Sequence, residues 1–129
     1  MKTIWIVDDD EEMIRAMQLM LRMLKYEMQS FLGVRPAVNA LLEGRRPDLF
    51  MLDVSMPQIT GLDFLGFLRR RPEFRMTPII ILSTEAAEVT IDKALELGVD
   101  AYVTKPVAID ELEQAIKKAF MAHGIILKE

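Results

Sequence analysis

Three aspartates, a pair of hydroxyls and a lysine stand out in this 129-residue chain for what they could do together. Asp8 and Asp9 follow the apolar run IWIV, Asp53 follows LFML, Ser83 and Thr84 follow IIIL, and Lys105 follows AYVT. Crowded carboxylates must share protons, bind a cation, or both, because each disfavours ionisation of the next. Oxygen ligands without Cys or His select a hard cation. Mg²⁺ suits a few carboxylates, several waters and an incoming phosphate, and Mn²⁺ accepts a similar set. A carboxylate can itself be the nucleophile and become an aspartyl phosphate. Such phosphoryl transfer depends mainly on positioning and charge stabilisation, and Lys105 could take a phosphoryl oxygen.

These residues meet only if the elements carrying them converge. Strand candidates are TIWIVD (3–8), MQSFL (28–32), DLFMLD (48–53), PIIILS (78–83) and DAYVT (100–104). Runs such as IWIV, LFML and IIIL do not alternate, which is the pattern of strands covered on both faces in a parallel sheet. Helical patterns lie between and after them. In EEMIRAMQLMLRMLKY, Arg15, Gln18, Arg22 and Lys25 form a solvent stripe opposite Ile14, Met17, Leu21 and Leu24. Pro36 suits the first turn of a second helix through Leu42. Residues 61–70 predict a third helix and 85–97 a fourth, with Gly98 as its stop. Leu112, Ala115, Ile116, Ala119 and Phe120 give the fifth its inner face, Glu113 and Lys117 pair outside, and His123-Gly124 ends it. Five such units predict a doubly wound α/β domain with helices on both faces of a parallel sheet. Ligands of such sheets bind beyond the C-terminal strand ends, where Asp8, Asp9, Asp53, Ser83 and Lys105 all fall.

Composition excludes several classes. With 51% hydrophobic and 28% charged residues, the chain is globular rather than disordered or fibrous. A net charge of −4 argues against general nucleic-acid binding. No apolar run approaches the roughly 20 residues of a membrane span, and no signal peptide is evident. The absence of cysteine rules out disulfides and fits a cytoplasmic protein.

The motifs IVDD (6–9), LDVSMPQITG (52–61), PIIILST (78–84) and YVTKP (102–106) follow one another in order. Their separations are 44 residues from Asp9 to Asp53, 30 from Asp53 to Ser83 and 22 from Ser83 to Lys105. Together they make the chain resemble a response-regulator receiver domain of two-component signalling, similar to the chemotaxis receivers, over about residues 2–122. The resemblance implies a flavodoxin-like (βα)5 three-layer sandwich: a doubly wound, five-stranded parallel sheet of strand order 2-1-3-4-5. Residues 1–122 would form the receiver, and 123–129 a short C-terminal tail with no output domain.

The resemblance also implies roles. Asp53 would accept the phosphoryl group from a sensor histidine kinase or a histidine phosphotransfer protein. Asp9 would bind Mg²⁺ directly, Asp8 mainly through a metal-bound water, Asp53 as a third ligand, and Ser55 through its backbone carbonyl. Ser83 would hydrogen-bond the phosphoryl group and Lys105 would pair with one of its oxygens. The Lys105-Pro106 peptide is expected to be cis. Tyr102 matches an aromatic switch residue, so the output would run through the face of the fourth helix, fifth strand and fifth helix to an effector, an output domain or a homodimer partner. Ser55, Thr84 and Glu85 stand where the family tunes dephosphorylation. Ser83 replaces the commoner Thr, and Thr84 replaces a smaller residue, which would narrow access to Asp53. Self-phosphorylation and slow autodephosphorylation would be the only catalysis.

Other features have simpler readings. Asp10 is placed to cap the first helix, with Glu11 and Glu12 favourable near its N-terminus. Arg69-Arg70-Arg71 suits a solvated helix terminus, and His123 a helix end. Most of the 10 methionines suit core packing, with Met20, Met23 and Met28 able to form a partner surface. A Mg²⁺-dependent phosphatase with an aspartate nucleophile is the alternative function. Such enzymes usually carry a general acid two residues on, where this chain has Ser55. A flavin-binding module would need a Ser-, Thr- or Gly-rich phosphate loop where this chain is acidic.

Overall fold

A computed structural model describes residues 1–127, so the last two residues of the expected tail lie outside it. Strands β1 (Thr3–Val7), β2 (Glu27–Phe31), β3 (Leu49–Leu52), β4 (Ile79–Ser83) and β5 (Ala101–Thr104) form one parallel sheet in the order β2-β1-β3-β4-β5. Side chains alternate along a strand, so each apolar run supplies two cores. Trp5, Val7, Phe50, Leu52, Ile79 and Ile81 pack beneath α2 (Val34–Leu42), α3 (Gly61–Arg70) and α4 (Glu88–Glu96). Ile4, Ile6, Leu49, Met51, Ile80 and Leu82 pack beneath α1 (Glu11–Met23) and α5 (Ile109–Ala122). The result is the three-layer, flavodoxin-like sandwich expected from the motif order. Full burial of a side chain such as Phe50 or Leu65 stabilises by about 1.5–3 kcal/mol.

Register positions the site. Val7 pairs with Leu52, so Asp8 and Asp53 leave adjacent strands at the same level. Leu52 pairs with Ile81 and Ser83 with Thr104, which brings Ser83 and Lys105 to the same edge. Chain order reverses beside β1, and the crevice outside the β1 and β3 ends is the switch point where open α/β sheets bind ligands.

Helix ends differ from the periodicity in two places. The apolar pattern runs on past α1, but Lys25 is left-handed (φ +68°) and Tyr26 N–H donates back to the Leu21 carbonyl at 2.8 Å, so α1 stops at Met23. The fourth helix starts at Glu88 rather than at residue 85. Its expected first turn is taken by local side-chain bonds: Glu85 N–H donates to Ser83 Oγ at 3.1 Å and Ala87 N–H to Glu85 Oε1 at 2.9 Å.

The arginine run also differs from a solvated terminus. Arg70 and Arg71 are exposed, but the Arg69 side chain is only 13% exposed and folds back onto backbone carbonyls and Asp100. His123 caps the C-terminus of α5 and also contacts Asp100 at 2.9 Å. Of the three methionines marked as a surface, Met23 is exposed, whereas Met20 and Met28 pack partly against the core.

Candidate functional site

The loop after β1 is held by its own aspartates. Asp8 is buried, and its Oδ1 accepts from Asp10 N–H at 2.9 Å, which turns the chain towards α1. Asp10 then caps that helix, its Oδ1 accepting from Glu12 N–H at 3.0 Å and Met13 N–H at 3.2 Å. Asp9, between them, is exposed and faces solvent at the crevice.

Asp53 emerges from β3 almost fully buried, with Ser55 N–H donating to its Oδ1 at 3.4 Å. The loop returns to α3 through Gly61, whose N–H donates to the Val54 carbonyl at 3.3 Å. A Cβ on Gly61 would lie 2.0 Å from the Asp53 carbonyl oxygen, so no other residue lets α3 start this close. Thr60 and Asp63 close a reciprocal capping box at 3.1 and 3.2 Å. These contacts fix the backbone that carries Asp53.

One carboxylate oxygen from each of Asp8, Asp9 and Asp53 lies within 4.8 Å of the others. Burial, and then the neighbouring Asp8 carboxylate, push the Asp53 pKa above the ordinary aspartate value. Lys105, the Ser55 N–H and the Ser83 hydroxyl pull it back only in part. Lys105 Nζ donates to Asp8 Oδ2 at 2.8 Å and lies 4.0 Å from Asp53 Oδ1. An all-oxygen cluster of three carboxylates that one lysine compensates only in part fits a hard divalent cation. It gives no support to a thiolate or imidazole metal.

Ser83 is fully buried, and its hydroxyl accepts from Glu85 N–H. Thr84 is exposed at the mouth, and Ser55 is exposed on the opposite loop. The Glu85 carboxylate turns towards the start of α4, and its backbone carbonyl accepts from the Tyr102 hydroxyl. Burial, and next the Glu85 charge, raise the Tyr102 pKa, so the phenol keeps its proton. The Lys105-Pro106 peptide is cis. All the residues singled out by spacing therefore stand along one edge of the sheet. Gly61 is an added positioning residue. Its place in the LDVSMPQITG run was legible, but its contact with Asp53 was not.

An acidic cluster with a lysine and a hydroxyl at the switch point of a 2-1-3-4-5 parallel sheet defines a flavodoxin-like domain of the chemotaxis-receiver type. The chain belongs to the response regulator receiver domain family, whose model matches residues 4–117. It is 31% identical over 92% of its length to the transcriptional regulatory protein KdpE of Mycobacterium tuberculosis, covering 51% of that protein. It is 32% identical over 95% of its length to the phosphate regulon transcriptional regulatory protein PhoB of Pseudomonas aeruginosa, covering 53% of it. The chain thus spans about half the length of these curated relatives. Among solved structures, the chemotaxis protein CheY4 of Vibrio cholerae superposes with a TM-score of 0.83 at 25% identity, covering 92% of this chain and 98% of that one. Receiver domains are regulatory rather than catalytic units and bind Mg²⁺ through acidic residues. No helix among the described residues is long and apolar enough to cross a membrane.

Proposed function

We propose that Asp53 is the phosphoacceptor of a Mg²⁺-dependent switch, loaded by a histidine kinase or a histidine phosphotransfer protein. The observation that carries this reading is the clustering of Asp8, Asp9 and Asp53 carboxylate oxygens within 4.8 Å, with Lys105, paired to Asp8, offsetting only part of their charge. Asp8, Asp9, Asp53 and the Ser55 carbonyl would hold the cation, with Mn²⁺ as a substitute. When bound, it neutralises phosphoryl oxygens and the carboxylates around them.

An Asp53 carboxylate oxygen attacks phosphorus, the P–N bond to the donor imidazole breaks, and its electron pair leaves with the imidazole nitrogen. An acyl phosphate forms on Asp53. Lys105 moves from Asp8 to a phosphoryl oxygen, and the Ser83 hydroxyl turns to donate to another. Drawing the Ser83 side chain towards the phosphoryl group lengthens the bond its Oγ accepts from Glu85 N–H, which loosens the segment bonded to Tyr102. Tyr102 repacks, and the α4-β5-α5 face changes in a two-state manner. That face carries an open depression lined by Tyr102, Thr104, Asp110, Glu111 and Gln114, whose acidic rim favours a basic partner surface. Slow release follows when water attacks phosphorus and the Asp53 carboxylate departs. Thr84, Ser55 and Glu85 shape access for that water.

The test is incubation with acetyl phosphate and Mg²⁺, followed by intact mass. A covalent phosphoryl adduct that is absent in Asp53→Asn supports the reading. No adduct, or one that persists in Asp53→Asn, overturns it. Multiple turnover on small phosphoesters that is lost in Asp53→Asn would instead establish a phosphatase.

A further inference from the structure

The sheet has a second charged centre, at its N-terminal edge, far from Asp53. Arg69, at the end of α3, donates through Nε to the Gly98 carbonyl at 2.9 Å. Its Nη1 reaches the Phe74, Arg75 and Thr77 carbonyls at 3.2, 3.1 and 2.7 Å. Its Nη2 pairs with Asp100 Oδ2 at 3.0 Å. Asp100 also accepts from Ile79 N–H at 2.8 Å and meets His123 Nε2 at 2.9 Å. Five regions are thereby tied at one point: the end of α3, the α3–β4 loop, the start of β4, the α4–β5 turn and the end of α5. Gly98 (φ +99°) lets that turn lie on the arginine stem, because a Cβ there would meet Arg69 Cγ and Nε at 3.3 Å.

The two ends of α4 are held very differently. Its C-terminal half contains the helix's one buried residue, Ala94, and runs into Gly98 on Arg69. Both halves expose residues, Glu88 and Val89 at one end and Leu95 and Glu96 at the other, but the N-terminal end has Ala87 as a cap without a side-chain bond and follows the exposed Thr84, Ala86 and Ala87. The bonds that hold the preceding segment run through Ser83, Glu85 and Tyr102, the groups a phosphoryl on Asp53 would disturb.

We propose that the Arg69–Asp100–His123 knot is the fixed pivot of the switching face, so that α4 swings about its C-terminal end while its N-terminal end moves. This inference rests on the phosphoacceptor reading. With a rise of about 1.5 Å per residue, a rotation of about 10° about Gly98 moves the N-terminus of the nine-residue helix by roughly 2 Å. Burial lowers the Arg69 pKa and Asp100 raises it again, and an arginine so far from titration keeps its charge at neutral pH.

The native chain has no cysteine, so nitroxide labels can be placed cleanly. Val89 and Leu95 sample the two halves of α4, and exposed Leu42 on α2 is a common reference. Distances are measured by pulsed electron resonance in Val89→Cys/Leu42→Cys and Leu95→Cys/Leu42→Cys, before and after acetyl phosphate with Mg²⁺, while intact mass follows the adduct. The expected result is a shift of about 2 Å for the Val89 pair and less than half of that for the Leu95 pair. In Arg69→Lys, which keeps the charge but loses the fork, the Leu95 pair should shift as much as the Val89 pair. Equal shifts in the protein with Arg69 intact would overturn the pivot. If no adduct forms, the switch reading falls, and the resting distributions decide the pinning. A narrow Leu95 distribution beside a broad Val89 one supports it, and equal widths overturn it. If Arg69→Lys does not fold, the comparison with Arg69 intact still decides.

Discussion

Lys105 is bound to Asp8 at 2.8 Å and stands 4.0 Å from Asp53, so the ammonium group sits on the neighbour of the proposed acceptor. On the proposed reading it would compete with a cation for Asp8 and would have to move to serve a phosphoryl group.

Removing that competitor should separate two properties. Lys105→Met should bind Mg²⁺ tighter by about 3- to 10-fold, equivalent to roughly 0.7–1.4 kcal/mol. Its phosphorylation by acetyl phosphate should nevertheless slow by at least about tenfold, since the phosphoryl charge loses its partner. Calorimetric titration with Mg²⁺ and timed intact-mass sampling measure the two. Weaker Mg²⁺ binding would show that the lysine organises Asp8 rather than competing for it.

The raised pKa of Asp53 makes its ionised form a liability without a cation. The stability it contributes is fully present below its unfolded pKa and is lost as pH rises through the higher folded value. Asp53→Asn should therefore melt about 2–6 °C above the parent at pH 7 in chelator. The gap should close as pH falls below the ordinary aspartate value of 3.8, and Mg²⁺ should raise the parent's Tm more than the variant's. Thermal melts across pH, with and without Mg²⁺, test this. A variant less stable at pH 7 would contradict it.

Gly61→Ala forces a Cβ against the Asp53 carbonyl. A backbone shift is unavoidable, and a loss of about 1–3 kcal/mol or more is expected. Phosphorylation should fall with it, because the same shift displaces Asp53. Urea melts and adduct yield would show both effects, and an unchanged midpoint would mean that the loop absorbs the methyl.

Asp9 and Asp10 are adjacent but should fail differently. Asp10→Ala removes the α1 cap and should cost about 1 kcal/mol with little change in Mg²⁺ affinity. Asp9→Ala should leave chelated stability equal or higher, because a repelling charge is gone, and weaken Mg²⁺ binding by at least about tenfold. The same calorimetry and melts on both variants would reveal any exchange of these roles.

The site was unusually legible in the sequence. Short, continuous apolar runs separated by helix-length segments fit covered strands, and in a parallel sheet every such strand delivers its next residue to one edge. Asp8, Asp53, Ser83 and Lys105 could therefore be brought together from their places after those runs. Helix ends were less legible, because periodicity does not register a lysine in left-handed conformation or a glutamate that folds back on its own loop. These are the reasons α1 ends before Leu24 and α4 begins at Glu88.

Residue type and local period were enough for the element order, the two-faced core and the chemical set at the C-terminal edge. Which aspartate holds Lys105, why residue 61 is glycine, and that Arg69 is a buried tie rather than a surface charge came from packing. Each depends on carbonyls and carboxylates brought close by packing. The Asp100 partner of Arg69 is 31 residues away in the chain, and no local pattern records such a meeting.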